Sequence, residues 1–324
     1  MLRRGRWRFE ADLPGPVVAI VRASISPDHA IRVPPHRRLA VCRFLTAGFP
    51  TTQHDVAAVW LDERFESGEF DPRWLLAVEE DGITAAAYLH VDHHGGAVIM
   101  GYRTADAHAE SRLWTEAARD LQEAGVVILQ AVTTPQKSLN YRGLLRCGFI
   151  GPFRLIEQRR ELSDVEAGAS VDPAIRLVPY SDDQFERFAG LLVETYVDTQ
   201  DMPELNDVRT PAQAMGSHLA SGREASPFLY RIEVGRESVG VLFFNPAGPG
   251  HAWDLTYLGL RPAWRRRGIG GRIVRAALAV AAQAGAPALV LTFDERNQPA
   301  RRLYESAGFR SCGSYDVYLR LFKG

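Results

Sequence analysis

Residues 265–271 read Arg-Arg-Arg-Gly-Ile-Gly-Gly, between an apolar run ending Leu258-Gly259-Leu260-Arg261-Pro262 and a helix-like stretch beginning Arg272-Ile273-Val274-Arg275. A strand, a glycine turn and a helix in that order form an anion cradle. Gly268, Gly270 and Gly271 let the main chain come close to a phosphate. The free N–H groups at the helix start, with the positive end of its dipole behind them, point at that phosphate. Two familiar glycine loops do not fit. A mononucleotide loop needs Gly-Lys followed by Ser or Thr, and none follows Gly270; Ile273 stands where the dinucleotide fingerprint needs its last glycine.

The elements around this loop must hold it against a partner site. An apolar strand at Ala288–Phe293 comes next, then Asn297-Gln298-Pro299-Ala300-Arg301-Arg302-Leu303-Tyr304-Glu305-Ser306-Ala307-Gly308-Phe309. Upstream, Ser181-Asp182-Asp183-Gln184 reads as a helix start with a capping box, and Phe185, Phe188, Leu191, Leu192 and Tyr196 follow at helical spacing. A β hairpin is expected at about Phe228–Asn245 with Gly235-Arg236 near its turn, and a long strand at about His251–Leu260.

The chain also matches itself at an offset of 160 positions, Ala124-Gly125 falling on Ala284-Gly285 and Gly148-Phe149 on Gly308-Phe309. Leu113 and Ala117 meet Ile273 and Ala277, so the buried helix stripe is kept. The first copy supplies helices near Arg38–Ala47 and Asp55–Glu66 and strands near Arg73–Glu79, Ile83–His90 and Ala97–Tyr102. Two domains are expected, residues 1–162 and 172–324, joined by a polar linker at 163–171. The repeat fails at the cradle: Arg265, Gly268, Gly270 and Gly271 correspond to Ala105, His108, Glu110 and Ser111. Glu110 is expected to put a carboxylate where a diphosphate would sit, and Leu144 and Lys137 replace Tyr304 and Asn297.

The Arg-x-x-Gly-x-Gly spacing of Arg265, Gly268 and Gly270 resembles the acyl-CoA pyrophosphate loop of the GNAT superfamily of N-acyltransferases. The stretch 297–309 is similar to that family's Asn-x-x-Ala-x-x-Leu-Tyr-x-x-x-Gly-Phe signature at every named position. The resemblance covers roughly Ala174–Gly324. It implies an α/β (mixed α+β) fold: two tandem GNAT-like domains, each a mostly antiparallel sheet flanked by helices with a splayed strand pair. It further implies that acetyl-CoA is bound by the main chain at Leu258 and Leu260 and by Arg265, Arg266, Arg267, Gly268, Ile269, Gly270, Gly271, Asn297 and Arg302. By the same resemblance the acyl group passes directly to a primary amine, with Asp254 taking the amine's proton and Tyr304 giving one to the leaving thiolate. His251 and Glu233 are the reserve bases, and Cys312 reads as a buried structural thiol. The first copy keeps the architecture without the cofactor site.

A net charge of -1, with 46% apolar and 24% charged residues, fits a globular protein and gives no broad basic face for nucleic acid. The local arginines, Arg301 among them, suit a ligand with several phosphates. Three scattered cysteines offer no disulfide framework or zinc spacing, and His93-His94 reads as a loop feature, so no metal is expected. Met1-Leu2-Arg3-Arg4-Gly5-Arg6-Trp7 lacks the apolar core of a signal peptide, and a cytoplasmic monomer or homodimer without membrane contact is expected. The acceptor is a small-molecule or peptide amine, drawn to the acidic stretch Asp198, Asp201, Glu204, Asp207. Two other readings stay open: an acyl-CoA binder that does not turn over, and a nucleic-acid-associated protein using the arginines as a phosphate clamp. The one-degraded-copy layout is similar to that of mycothiol synthases, an analogy of architecture that leaves the acceptor open.

Overall fold

The structure is a computed structural model and describes residues 31–163, 168, 172–221, 228–246 and 250–322. The linker expectation at 163–171 therefore falls largely outside the described residues, as does the basic start at 1–7. The chain divides into two compact units: Met1–Pro152 with Asp316–Gly324, and Phe153–Tyr315.

The first unit begins with α1 (Arg38–Leu45) and α2 (Thr51–Glu66). Then β1 (Leu75–Glu79), β2 (Ile83–Val91) and β3 (Gly96–Thr104) form an antiparallel meander. Helix α3 (Ala107–Glu123) returns the chain to β4 (Ile128–Thr133), which runs parallel to β3. A parallel partner needs such a crossover. Leu113, Trp114, Ala117 and Leu121 give α3 its buried stripe. A 3₁₀ segment, Ser138–Cys147, leads into β5 (Ile150–Glu161).

The second unit repeats the plan. It starts with β6 (Ile175–Pro179), α4 (Phe185–Glu194) and α5 (Pro211–Ala220). The hairpin β7 (Phe228–Val234) and β8 (Glu237–Asn245) and the strand β9 (Trp253–Leu260) follow as an antiparallel run. The crossover helix α6 (Ile269–Gln283) leads to β10 (Ala288–Asp294), then α7 (Gln298–Ser306) and β11 (Arg310–Leu321). Both sheet faces are covered. Trp253, Leu255, Leu289 and Leu291 pack with Ile273, Ala277 and Tyr304, while Val241 and Phe243 pack with Phe188, Leu192 and Met215.

Two local expectations change. The capping box at Ser181 does not form: its side chain caps nothing and a 3₁₀ turn, Asp182–Gln184, precedes α4. The box forms instead at α5, where Thr210 and Gln213 bond each other's backbone and Pro211 occupies the first turn. Chain order and compact units also differ. β5 closes the first copy in sequence, yet its Leu155–Glu161 stretch pairs with β10 of the second unit. The end of β11, Asp316–Leu321, pairs with β4 of the first. A cut at 162 thus separates β5 from the sheet to which its hydrogen bonds belong.

Candidate acyl-donor site

In the second unit, β9 and β10 pair only at their beginnings, Trp253, Asp254 and Leu255 lying opposite Leu289, Val290 and Leu291. Beyond that point β9 continues to Leu260 and β10 to Asp294 with the strands parted. A bulge marks the parting. Phe243 and Phe244 of β8 face Tyr257 and Leu255, which leaves Thr256 as the extra residue and bends β9. Past that point the two facing edges have no strand partner, and an extended ligand can join a sheet at such an edge. Leu258 and Leu260 lie on this parted stretch.

The end of β9 turns through Pro262–Trp264 into the glycine loop. Arg266 (φ 56) and Gly268 (φ 73) are left-handed. Arg265 before them is extended, so the chain turns sharply here as it enters α6. Gly268 is the N-cap of α6 and supplies no side-chain oxygen, so the first-turn N–H groups of Ile269, Gly270 and Gly271 carry no side-chain cap. A Cβ on Gly270 would lie 3.4 Å from Leu303 Cδ2, close but tolerable against α7.

The arginines divide into two groups. Arg265, expected to hold the ligand, spends its guanidinium on main-chain carbonyls: Nε on Leu260 at 2.9 Å, Nη1 on Asp198 at 3.2 Å and Nη2 on Thr195 at 2.9 Å. It fastens the loop after α4 to the end of β9. Arg272 pairs with Asp172 at 2.6 Å, Arg301 approaches Glu295 at 3.8 Å, and Arg267 lies over the Trp264 ring. Among the described residues, Arg266 and Arg302 are exposed and form no ion pair, which leaves their charge for a ligand.

On the other lip, Asn297 caps α7 by accepting from Ala300 N at 3.1 Å. Tyr304 is buried between Phe293 and Phe309, each ring centre 5.8 Å away. Burial, and after it the charge of Asp201, raises its phenol well above the ordinary value. The loop between α4 and α5 carries three left-handed non-glycine residues, Asp198, Met202 and Asp207. Such strain gathers at functional sites. Arg296 clamps this loop with a fork on Glu204 (2.7 and 2.8 Å) and reaches Asp294 at 2.6 Å.

The base candidates stand apart from one another. Asp254 is exposed on β9 and His251 exposed just before it. Asp254 faces Asn245 on one side and Val290 on the other, within the closed part of the strand pair. Glu233 is buried and held by Arg176 and Arg231. Although burial opposes it, those two guanidinium groups lower its carboxyl pKa, so it is fixed as a structural anion. Cys312 is exposed rather than buried, its Sγ 3.3 Å from Glu157 Oε2, because the first four residues of β11 lie at the surface. His93 and His94 lie in the β2–β3 turn.

In the first unit β3 and β4 also part after Val98 and Gln130, with a bulge at Met100. The cradle, however, is filled by Asp106, whose carboxylate accepts from His108 N at 2.8 Å and Ala109 N at 2.9 Å. Glu110, expected in that role, turns inward instead. It is buried, bonded by Tyr102 and 3.3 Å from Arg146. An aromatic chain runs from Tyr102 on β3 through Tyr141 to Tyr318 on β11, with ring centres 5.7 and 6.1 Å apart.

Sequence reasoning missed Arg296, Tyr257 and His218. Tyr257 bonds Thr195 Oγ1 at 2.8 Å, and His218 of α5 packs on Phe243 (5.0 Å) and Tyr257 (5.6 Å). A lone histidine on an apolar helix face gave no signal. Burial, with a smaller push from Arg209, lowers His218 to about 4. Because an unfolded histidine titrates near 6.5, stability is intact above that pH and is lost as pH falls towards about 4. The loss is on the order of 3 kcal/mol. Urea midpoints measured from pH 7 to pH 4.5 should therefore fall less steeply for His218→Leu than for the parent; equal slopes would refute this.

An uncapped helix start at the mouth of a parted strand pair offers donors for an anion beside open strand edges. Residues 191–309 match the family model described as Acetyltransferase (GNAT) family. Among solved structures, the chain is similar to a GCN5-related N-acetyltransferase from Sphaerobacter thermophilus, with 16% identity over 93% of this chain and 98% of that one and a TM-score of 0.50. It is also similar to a functionally unknown conserved protein from Staphylococcus epidermidis ATCC 12228, at 13% identity over 74% and 91% and a TM-score of 0.52. These two show the fold. No curated protein sequence matches the chain.

Proposed function

We propose that the chain is an N-acyltransferase that moves an acetyl group from acetyl-CoA to a primary amine, and that the reaction takes place in the second unit. The observation that carries this reading is the parted β9–β10 pair opening at an uncapped, glycine-lined start of α6. The N–H groups at Gly268–Gly271, with Arg266 and Arg302, would bind the diphosphate, and main-chain groups at Leu258 and Leu260 the amide-bearing arm. The donor supplies a thioester.

The chain's own residues then handle protons. An amine attacks through its lone pair, so its proton must pass to a base as the C–N bond forms and the C–S bond breaks. The thiolate takes a proton from Tyr304, which its raised pKa keeps protonated at neutral pH. Asp254 is the base expected from the sequence. Acetyl-CoA with polyamines, amino sugars, amino acids and a free peptide N-terminus, followed by thiol release, tests the reading. Turnover with one of these amines is expected; binding of acetyl-CoA without release of thiol in any mixture would leave a binder and remove the enzyme.

A further inference from the structure

The β10 end of the gap is not vacant. Glu295 N donates to Arg154 O of β5 at 2.8 Å, so the preceding amide, Asp294 N, faces the opposite way, into the gap towards β9. It donates to Asp201 Oδ1 at 2.6 Å. The contact is returned, since Asp294 Oδ2 accepts from Met202 N at 3.3 Å. Arg296 then ties Asp294 to Glu204, and Arg265 ties Leu260 to Thr195 and Asp198. Both lips of the gap are fastened to one strained loop, and the side chain that loop delivers into the gap is Asp201.

We propose that Asp201 is the catalytic base of the transfer, taking the proton of the attacking amine, in place of Asp254. The assignment rests on the acyltransferase reading above. Asp254 lies where β9 is still paired on both edges, so an added strand cannot run alongside it. Asp201 lies beyond the parting, at the unpaired edge that such a strand would meet. The residue as a whole is half-buried, with its carboxyl set below the surface.

The two proton transfers are also coupled. The charge on Asp201 acts on Tyr304 and on Tyr257 of β9, raising both phenols after burial has done so. Once Asp201 has taken the amine proton that charge is gone, and Tyr304 becomes the stronger acid just when the thiolate leaves. The products are the amide and the free thiol, and Asp201 and Tyr304 return to their starting states by exchange with water. Burial and the nearby Asp294 raise the Asp201 carboxyl, while the Asp294 N–H, Asn297 and Arg296 oppose the rise.

Asp201→Asn is the informative variant, because an amide oxygen still accepts from Asp294 N while the basicity is lost. Thiol release from acetyl-CoA should be measured with the best amine of the panel and with water alone as acceptor, since water also needs a base. A fall of at least tenfold in both is expected. Acetyl-CoA affinity by calorimetry should stay within about threefold. The acid limb of the pH–rate profile should vanish in the residual activity, and Asp201→Glu should recover part of the rate. Retained rate in Asp201→Asn, an unchanged acid limb, a tenfold loss of acetyl-CoA affinity or abolition of the rate by Asp254→Asn instead would overturn the assignment. A parent protein that binds acetyl-CoA yet releases no thiol with any acceptor would sink the acyltransferase reading itself.

Discussion

Gly270→Glu is expected to abolish acetyl-CoA binding, with a loss of more than 100-fold in affinity by calorimetry, about 3 kcal/mol. The side chain enters the first turn of α6, where the N–H groups carry no cap. A carboxylate there meets those donors itself and repels the diphosphate, so two favourable effects are removed by one change. The fold should survive, because the new Cβ meets only the flexible end of Leu303 at 3.4 Å. Ser111→Glu, at the equivalent turn of α3 in the first unit, should leave affinity unaltered, since Asp106 already holds the donors at His108 and Ala109. Undiminished binding in Gly270→Glu, or equal losses in the two variants, would remove the glycine loop from the site.

Tyr304→Phe should lower kcat about 100-fold while acetyl-CoA affinity and Tm hold. The ring is fixed by Phe293 and Phe309, packing that phenylalanine reproduces. What disappears is the hydroxyl, and with it the proton for the thiolate. A donor whose own thiolate is a better leaving group should be less affected than acetyl-CoA. An unchanged kcat would show that the thiolate leaves unaided or takes its proton from water.

Much of the fold was legible in the sequence because its signals are local. The buried stripes of α3 and α6, the hairpin turn at Gly235-Arg236 and the glycine loop each lie within one stretch of chain. The repeat offset located α3 against α6 and β4 against β10 by the same logic. The capping box shows the limit of local signals. Ser181 and Gln184 have the right spacing, but a 3₁₀ turn takes up the entry to α4, and the pattern at Thr210 and Gln213 is the one that forms.

The site divides along the same line. Sequence by itself determined that a glycine loop opens the crossover helix of the second copy and that the first copy has none there, because both depend on which residues leave a helix start without a side-chain cap. Tertiary structure alone decided how the side chains are spent. Arg265 is used on carbonyls some seventy positions upstream, Asp201 sits on an amide 93 positions downstream, and Asp106 rather than Glu110 fills the first cradle. It likewise decided that β5 joins β10, since an alternating strand carries no mark of which sheet edge it will meet. A hydrogen bond between groups far apart in the chain is fixed by packing, and no spacing rule within one segment encodes it.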